Sequence, residues 1–416
     1  MPRRPIIALT LPWVCVGMLW TASSRAGDGP IARPKPAIMV HYMPWFESKG
    51  FSGAWGWHWT MNHFNPDQVD ATGRRQVAAH LDPAIGPYDS LDPTVLEYHT
   101  LLMKVAGIDG AIIDWYGNEN YQDYAGIHRR TLALIAALQK QGLKFAICYE
   151  DRAVGAIAAR EKLTPEAATA HAATHLRFCQ ENWFADPAYL TWEGKPLLMV
   201  FGPDYLNPTQ WITLFAGMRP APAFFTLHER KDPAIGSFAW PPMWASKDGK
   251  LAPQDLDAYL DRFGRQQGAK IGAAFPGFHD IYAEAKVQPS YGFLDARDGA
   301  TFRRTLDQAL KLNSPVVQIA TWNDFGEGTC VEPTREFGDR YLAMIQDARR
   351  DLNGSFPFDA TDLKLPGRIK RLRDLPGPAP DHRRHLEAVI EAINVGDPRR
   401  AALEVDHLEA AMPTRQ

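Results

Sequence analysis

Short apolar runs rich in β-branched residues alternate along the chain with segments whose apolar positions recur at helical spacing. The runs at 38–42, 110–116, 145–149, 197–201, 224–228, 237–239, 271–275 and 316–321 are too short for helices and read as buried strands. Helical periodicity covers 93–106, 127–140, 164–184, 208–217, 253–267, 301–312 and 337–351 between or after them. Asp92-Pro93 and Thr164-Pro165 signal two helix starts, each a capping residue with proline at the first helical position. Val95, Leu96, His99, Leu102, Met103 and Ala106 follow the first of these on one face, and Gly107 ends the run. The link between the fifth and sixth runs is too short for a helix and is the weakest step in the pattern.

Eight such strands alternating with helices predict an α/β protein, a (β/α)8 TIM barrel with a small C-terminal helical extension. An open doubly wound sheet is the alternative, but neither G-x-G-x-x-G nor G-x-x-x-x-G-K-[ST] occurs. The barrel is expected over 27–352, a Pro-rich linker over 353–381, and a helical hairpin or tail over 382–416. Residues 1–26 have the pattern of a secretory signal peptide. Arg3 and Arg4 precede an apolar stretch, and Ser24-Arg25-Ala26 offers small residues at a cleavage site. A secreted or periplasmic protein is therefore expected, with no membrane association once the signal is cleaved, since no later run is long enough to span a bilayer.

A net charge of −3 over 416 residues leaves no basic footprint for nucleic acid. Cys15 lies in the signal, leaving Cys148, Cys179 and Cys330, an odd number without C-x-x-C. A disulfide framework or a zinc site is not expected; one bridge among the three stays open, and a free buried thiol is expected at Cys330. A long segment after the first strand, up to Asp92, holds Phe46, Phe51, Trp55, Trp57, Trp59, Phe64 and Tyr88. Disordered segments are poor in aromatics, so this one is expected to be an ordered part of a binding site.

The chemistry centres on Thr321-Trp322-Asn323-Asp324-Phe325-Gly326-Glu327-Gly328-Thr329, where the last strand runs into a loop. Asp324 and Glu327 are three apart on one strand end. Acid/base chemistry on a glycosidic bond needs such a pair, one carboxyl ionised and one protonated. In a barrel of this type the site lies at the C-terminal strand ends. Reading those ends collects tyrosines, tryptophans, carboxylates and imidazoles, a mixture that suits a sugar. Aromatic faces pack on the C–H faces of pyranose rings, and polar groups bond the hydroxyls. Asp324 and Glu327 are the candidate catalytic residues. Tyr42, His58, Trp115, Tyr116, Glu150, His228, His279, Trp322 and Asn323 are the candidate substrate contacts. His58, His63, His80, Asp89 and Asp92 share the long loop, but no H-E-x-x-H or H-x-H spacing fixes a ligand geometry. No metal and no cofactor are expected.

At these residues the sequence resembles glycoside hydrolase families 71 and 99, the α-1,3-glucanases and endo-α-mannosidases, and their bacterial relatives. The resembling pieces begin with His41-Tyr42-Met43-Pro44-Trp45 and Pro87-Tyr88-Asp89-Ser90-Leu91-Asp92-Pro93. Residues 103–110 follow, running into Asp114-Trp115-Tyr116-Gly117, and then the Thr321–Thr329 stretch with Glu332-Pro333. The resemblance spans roughly Pro36 to Asp351 and implies a metal-free barrel that cleaves α-glycosidic bonds within a chain. In family 99 two glutamates three apart occupy the last motif. The first acts on the sugar's own 2-hydroxyl, and the second is the general acid/base. Here the first position is Asp324, which matches the family 71 form and implies an inverting mechanism; Glu327 holds the second. Tyr42, Trp115 and Glu150 match positions that line the sugar site in family 99. The expectation is a secreted endo-acting hydrolase of α-linked oligo- or polysaccharide, with α-mannan or α-glucan as the substrate type. A catalytically inactive glycan-binding protein on the same barrel is the alternative, and the sequence assigns no oligomeric state.

Overall fold

The computed structural model describes residues 35–375 and 380–411. The signal-peptide stretch, 1–26, lies outside them. Eight strands form the barrel: β1 (Ala37–Tyr42), β2 (Gly110–Trp115), β3 (Lys144–Tyr149), β4 (Lys195–Val200), β5 (Ala223–Leu227), β6 (Gly236–Phe238), β7 (Ala269–Ala274) and β8 (Val316–Ile319). All neighbours pair in parallel, in sequence order from β1 to β8. The ring closes where Ala37 stands opposite Val316 and Val40 opposite Ile319. These strands are buried on both faces, between the barrel interior and the helices. That is why their sequences are near-continuous apolar runs rather than alternating ones.

The outer layer contains α1 (Pro93–Ala106), α2 (Tyr124–Lys140), α3 (Arg152–Glu161), α4 (Pro165–Asn182), α5 (Pro208–Ala216), α6 (Pro253–Arg265), α7 (Ala300–Lys311) and α8 (Arg340–Asn353). Two caps form as the sequence suggests. The Asp92 carboxylate accepts from Thr94 N and the Thr164 hydroxyl from Ala167 N, with proline following each. No helix joins β5 to β6; the Thr226 hydroxyl bonds Glu229 O and Lys231 N to make a tight turn instead. This explains the irregular step in the sequence pattern and the three-residue length of β6.

α3 is an element the periodicity did not reveal. Gly155 weakens the helical signal inside it, yet a Cβ there would come within 2.7 Å of the Tyr205 ring, so close packing favours glycine. The segment read as a linker differs too. It contains α9 (Leu365–Arg373), with Pro366 in the first turn, where proline's missing N–H is harmless. Ile369 and Leu372 are buried, and Arg373 grips Glu97 of α1 through Nε at 2.8 Å. α10 (Pro380–Asn394) and α11 (Pro398–Ala410) pack as a hairpin, and Asn394 Nδ2 donates to Gln141 Oε1 at 2.7 Å beside the end of α2. Cys148, Cys179 and Cys330 are free and buried. No described helix is long and apolar enough to cross a membrane.

Candidate active site

The loop after β8 is fixed by bonds from several directions. Asn323 Oδ1 accepts from Met43 N at 2.8 Å, and its Nδ2 donates to Met43 O at 3.0 Å and to the Tyr88 hydroxyl at 3.1 Å. Trp322 N donates to His41 O at 2.7 Å, so the ends of β1 and β8 are joined. The Thr321 hydroxyl receives Asp324 N at 2.8 Å. On the other side, His279 N donates to Glu327 O and Ile281 N to Gly326 O. Gly328 takes φ +66°, and a Cβ there would lie 2.9 Å from His279 O. The long segment before α1 packs over this loop: Phe46, Trp59 and Tyr88 form one apolar cluster with Phe325 and Cys330. Most of its aromatics therefore order the loop, while Trp45, Trp57, His58 and Met61 face a cleft at the C-terminal end of the barrel.

That cleft has a volume of about 950 Å³, at the upper end of the range of small-molecule sites, roughly 300–1,000 Å³. Of the residues read from the sequence as site candidates, Asp324, Glu327, His58, Tyr116, Glu150 and His228 line it. Tyr42, Trp115, His279, Trp322 and Asn323 do not. Tyr42 is buried and bonds His99 Nδ1 at 2.9 Å. Trp115 packs between strand and helices against Phe178 and Trp183, its indole N–H 3.2 Å from His128 Nδ1. Trp322 packs on His99, and His279 stacks on His80 with ring centroids 3.7 Å apart. Tyr42, Trp115, Trp322 and Asn323 are fully buried and support the site from behind, while His279 is exposed.

Five carboxyls thus line the cleft, Asp114, Asp123, Glu150, Asp324 and Glu327, and Arg152 joins them. Arg152 holds Glu150 through Nε at 2.7 Å and an Nη at 2.8 Å. Burial pushes Glu150 up to about 7 against that guanidinium. Asp114 is raised well above the carboxylate range by burial and by the charge of Glu150. Asp324 is raised by burial to about 7, opposed by N–H groups from Glu327 and Gly326; the first bonds Oδ1 at 3.0 Å. Half-buried Glu327 is pushed well above the usual range by desolvation and then by the Asp324 charge, while the Tyr282 hydroxyl donates to Oε1 at 3.3 Å. Burial pushes His41 down to about 3 and His228 down to about 4, so both are neutral near pH 7.

Among the described residues, both ring nitrogens of His41 and Oδ1 of Asp114 are buried without a hydrogen-bond partner. Buried polar groups rarely stay unpaired, so a hydroxyl-bearing ligand or water has bonds waiting on the cleft floor. His41, Asp114 and Cys148 also group closely enough to hold an ion. Trp240 and Trp244 add aromatic walls, and Tyr282 and Tyr291 come from the loop after β7. Arg152 stands two residues beyond Glu150 and could have been found by continuing the strand end. Tyr282 carried no signal in the sequence.

No known protein-family profile matches the chain, and no curated protein matches it. Solved structures do. The GH99 endo-α-mannosidase from Bacteroides thetaiotaomicron superposes with a TM-score of 0.55 at 17% identity, over 76% of this chain and 98% of that one. A glycoside hydrolase-like protein gives 0.52 at 13% identity, over 77% of this chain and 96% of the other. At such identities the likeness is one of fold, and it spans those proteins almost whole.

Proposed function

We propose that this chain is a secreted, endo-acting glycoside hydrolase of the family 71/99-like type, cleaving α-linked polysaccharide of the mannan or glucan kind. The observation that carries the reading is the pair Asp324 and Glu327, held on one braced loop and opening into a cleft walled by aromatics. Their environments separate their roles. Backbone N–H groups aimed at Asp324 favour its ionised form, while desolvation and that neighbouring charge keep Glu327 protonated. Glu327 then donates a proton to the leaving oxygen, and Asp324 acts as the base that activates water. The likeness of fold to a family 99 enzyme and the resembling strand-end motifs support the choice of bond.

Turnover on this reading needs Asp324 deprotonated and Glu327 protonated. Asp324 titrates near 7, so kcat/KM should fall as pH drops below about 7 and hold above it until Glu327 loses its proton. A pH–rate profile checks this. An optimum near pH 4–5, where unperturbed carboxyls titrate at about 3.9–4.3, would contradict the assignment. Asp324 serving as base to a water predicts inversion. Proton NMR of the first product from an α-linked glycan should show the β-anomer before mutarotation; an initial α-anomer would place Asp324 on the substrate's 2-hydroxyl instead.

A further inference from the structure

A second cluster of ligating groups lies beside the cleft wall. His171 and His175 stand one turn apart on one face of α4. Glu119, in the loop after β2, reaches both. His175 Nε2 bonds Glu119 Oε1, and His171 Nε2 lies 3.1 Å from the same oxygen without alignment for a hydrogen bond. The three ligand atoms lie within 4.8 Å of one another. Bonds of about 2.0–2.1 Å around a tetrahedral zinc ion would space its ligands roughly 3.3 Å apart. Small shifts therefore suffice to seat an ion between them.

Three further observations mark this as a built site. Among the described residues, Glu119 Oε2 and His171 Nε2 are buried with no hydrogen-bond partner. His175 is fully buried, and its Nδ1 sits 2.6 Å from the hydroxyl of buried Tyr149. When an ion replaces the Nε2 proton that bonds Glu119, Nδ1–H is given to the Tyr149 oxygen and Nε2 offers its lone pair, as in metal-bound histidines held by an outer partner. Gly117 takes φ +97°, and a Cβ there would fall 2.5 Å from the His175 ring and 2.6 Å from Glu119 Oε2. The backbone thus passes the cluster where only glycine fits. Side-chain exposures of 22% for His171 and 20% for Glu119 place the cluster just below the surface.

We propose that Glu119, His171 and His175 bind a divalent transition-metal ion of the zinc class, which clamps the loop after β2 onto α4. Two imidazoles and one carboxylate suit such an ion better than calcium or magnesium. The same loop presents Tyr116, Gln122 and Asp123 to the cleft, so the ion sets the position of one cleft wall. The three ligands themselves do not line the cleft. In the sequence this pair reads His171-Ala172-Ala173-Thr174-His175, which matches neither H-E-x-x-H nor H-x-H.

The test is calorimetric titration of the chelator-stripped full chain with zinc chloride, followed by Co²⁺ absorption spectroscopy. One Zn²⁺ per chain is expected, with a tetrahedral cobalt spectrum. His171→Ala and Glu119→Gln should each weaken binding by at least about 10–100-fold, the range seen even for outer partners, and Tyr149→Phe by about 10-fold. Circular dichroism of the first two variants should match the wild type. Proteolysis within 117–123 should slow when Zn²⁺ is added. No stoichiometric Zn²⁺ on the wild type would overturn the proposal. So would binding that survives both His171→Ala and Glu119→Gln, or that is lost in Cys148→Ser instead, which would place the ion at His41, Asp114 and Cys148.

Discussion

Glu327→Gln is expected to lower kcat by about 10²–10⁴-fold, the contribution of a positioned proton donor, while oligosaccharide affinity changes little. Glutamine keeps the shape of the side chain and an acceptor for the Tyr282 hydroxyl, so only the proton is withdrawn. Asp324→Asn should lose a comparable factor, since Asn Oδ1 can still accept from Glu327 N but is no base. Asp324→Asn also makes a stability prediction with a definite sign. The folded Asp324 carboxyl titrates near 7, against an ordinary value of 3.8, so the folded chain binds more protons between these limits. Stability from this group is therefore greatest at low pH and declines as pH rises from about 4 to about 7. Asp324→Asn removes that decline. Its melting temperature should exceed the wild type's at pH 7 to 8, with the advantage shrinking toward pH 4. A variant that is less stable at neutral pH, or one that keeps most of its turnover, would contradict the burial and role assigned to Asp324.

Asn323→Leu should be the most damaging single change to the loop itself. It leaves Met43 N–H and C=O without their buried partner, while the Tyr88 hydroxyl keeps its bond to Glu332 Oε2 at 2.8 Å. Orphaned buried groups cost about 1–3 kcal/mol each, so for these two a loss of about 2–6 kcal/mol is expected. Urea unfolding, read as a shift of midpoint at constant slope, measures it. A loss under about 1 kcal/mol would mean that Asn323 does not hold the ends of β1 and β8 together.

The barrel was legible in the sequence because strands buried on both faces declare themselves as apolar runs, and because Asp92, Thr164 and Gly107 mark helix ends chemically. The site was legible as a set of strand ends but not as a set of directions. Side chains alternate along a strand, so neighbours at one strand end face opposite ways. Asp114 and Tyr116 line the cleft, while Trp115 between them packs outward under α4. His41 and Met43 line it, while Tyr42 turns back to His99. Glu150 faces in, and Tyr149 bonds His175. Reading parity along each strand would have exchanged Trp115 for Asp114 and Tyr42 for His41. It could not have found Tyr282, which arrives from a loop without regular structure. Nor could it reveal α3 or α9, where Gly155 and Pro366 carry signals of breakage in positions that tolerate them.

The most direct test of the central claim is mass spectrometry of the products formed from a panel of α-linked mannans and glucans, comparing wild type with Glu327→Gln. The account predicts internal-chain oligosaccharides with new reducing ends from at least one polysaccharide for the wild type, and none from the variant, though both bind that polysaccharide. Binding of a glycan by the wild type with no product from any member of the panel would contradict it and leave a glycan-binding protein on a hydrolase barrel.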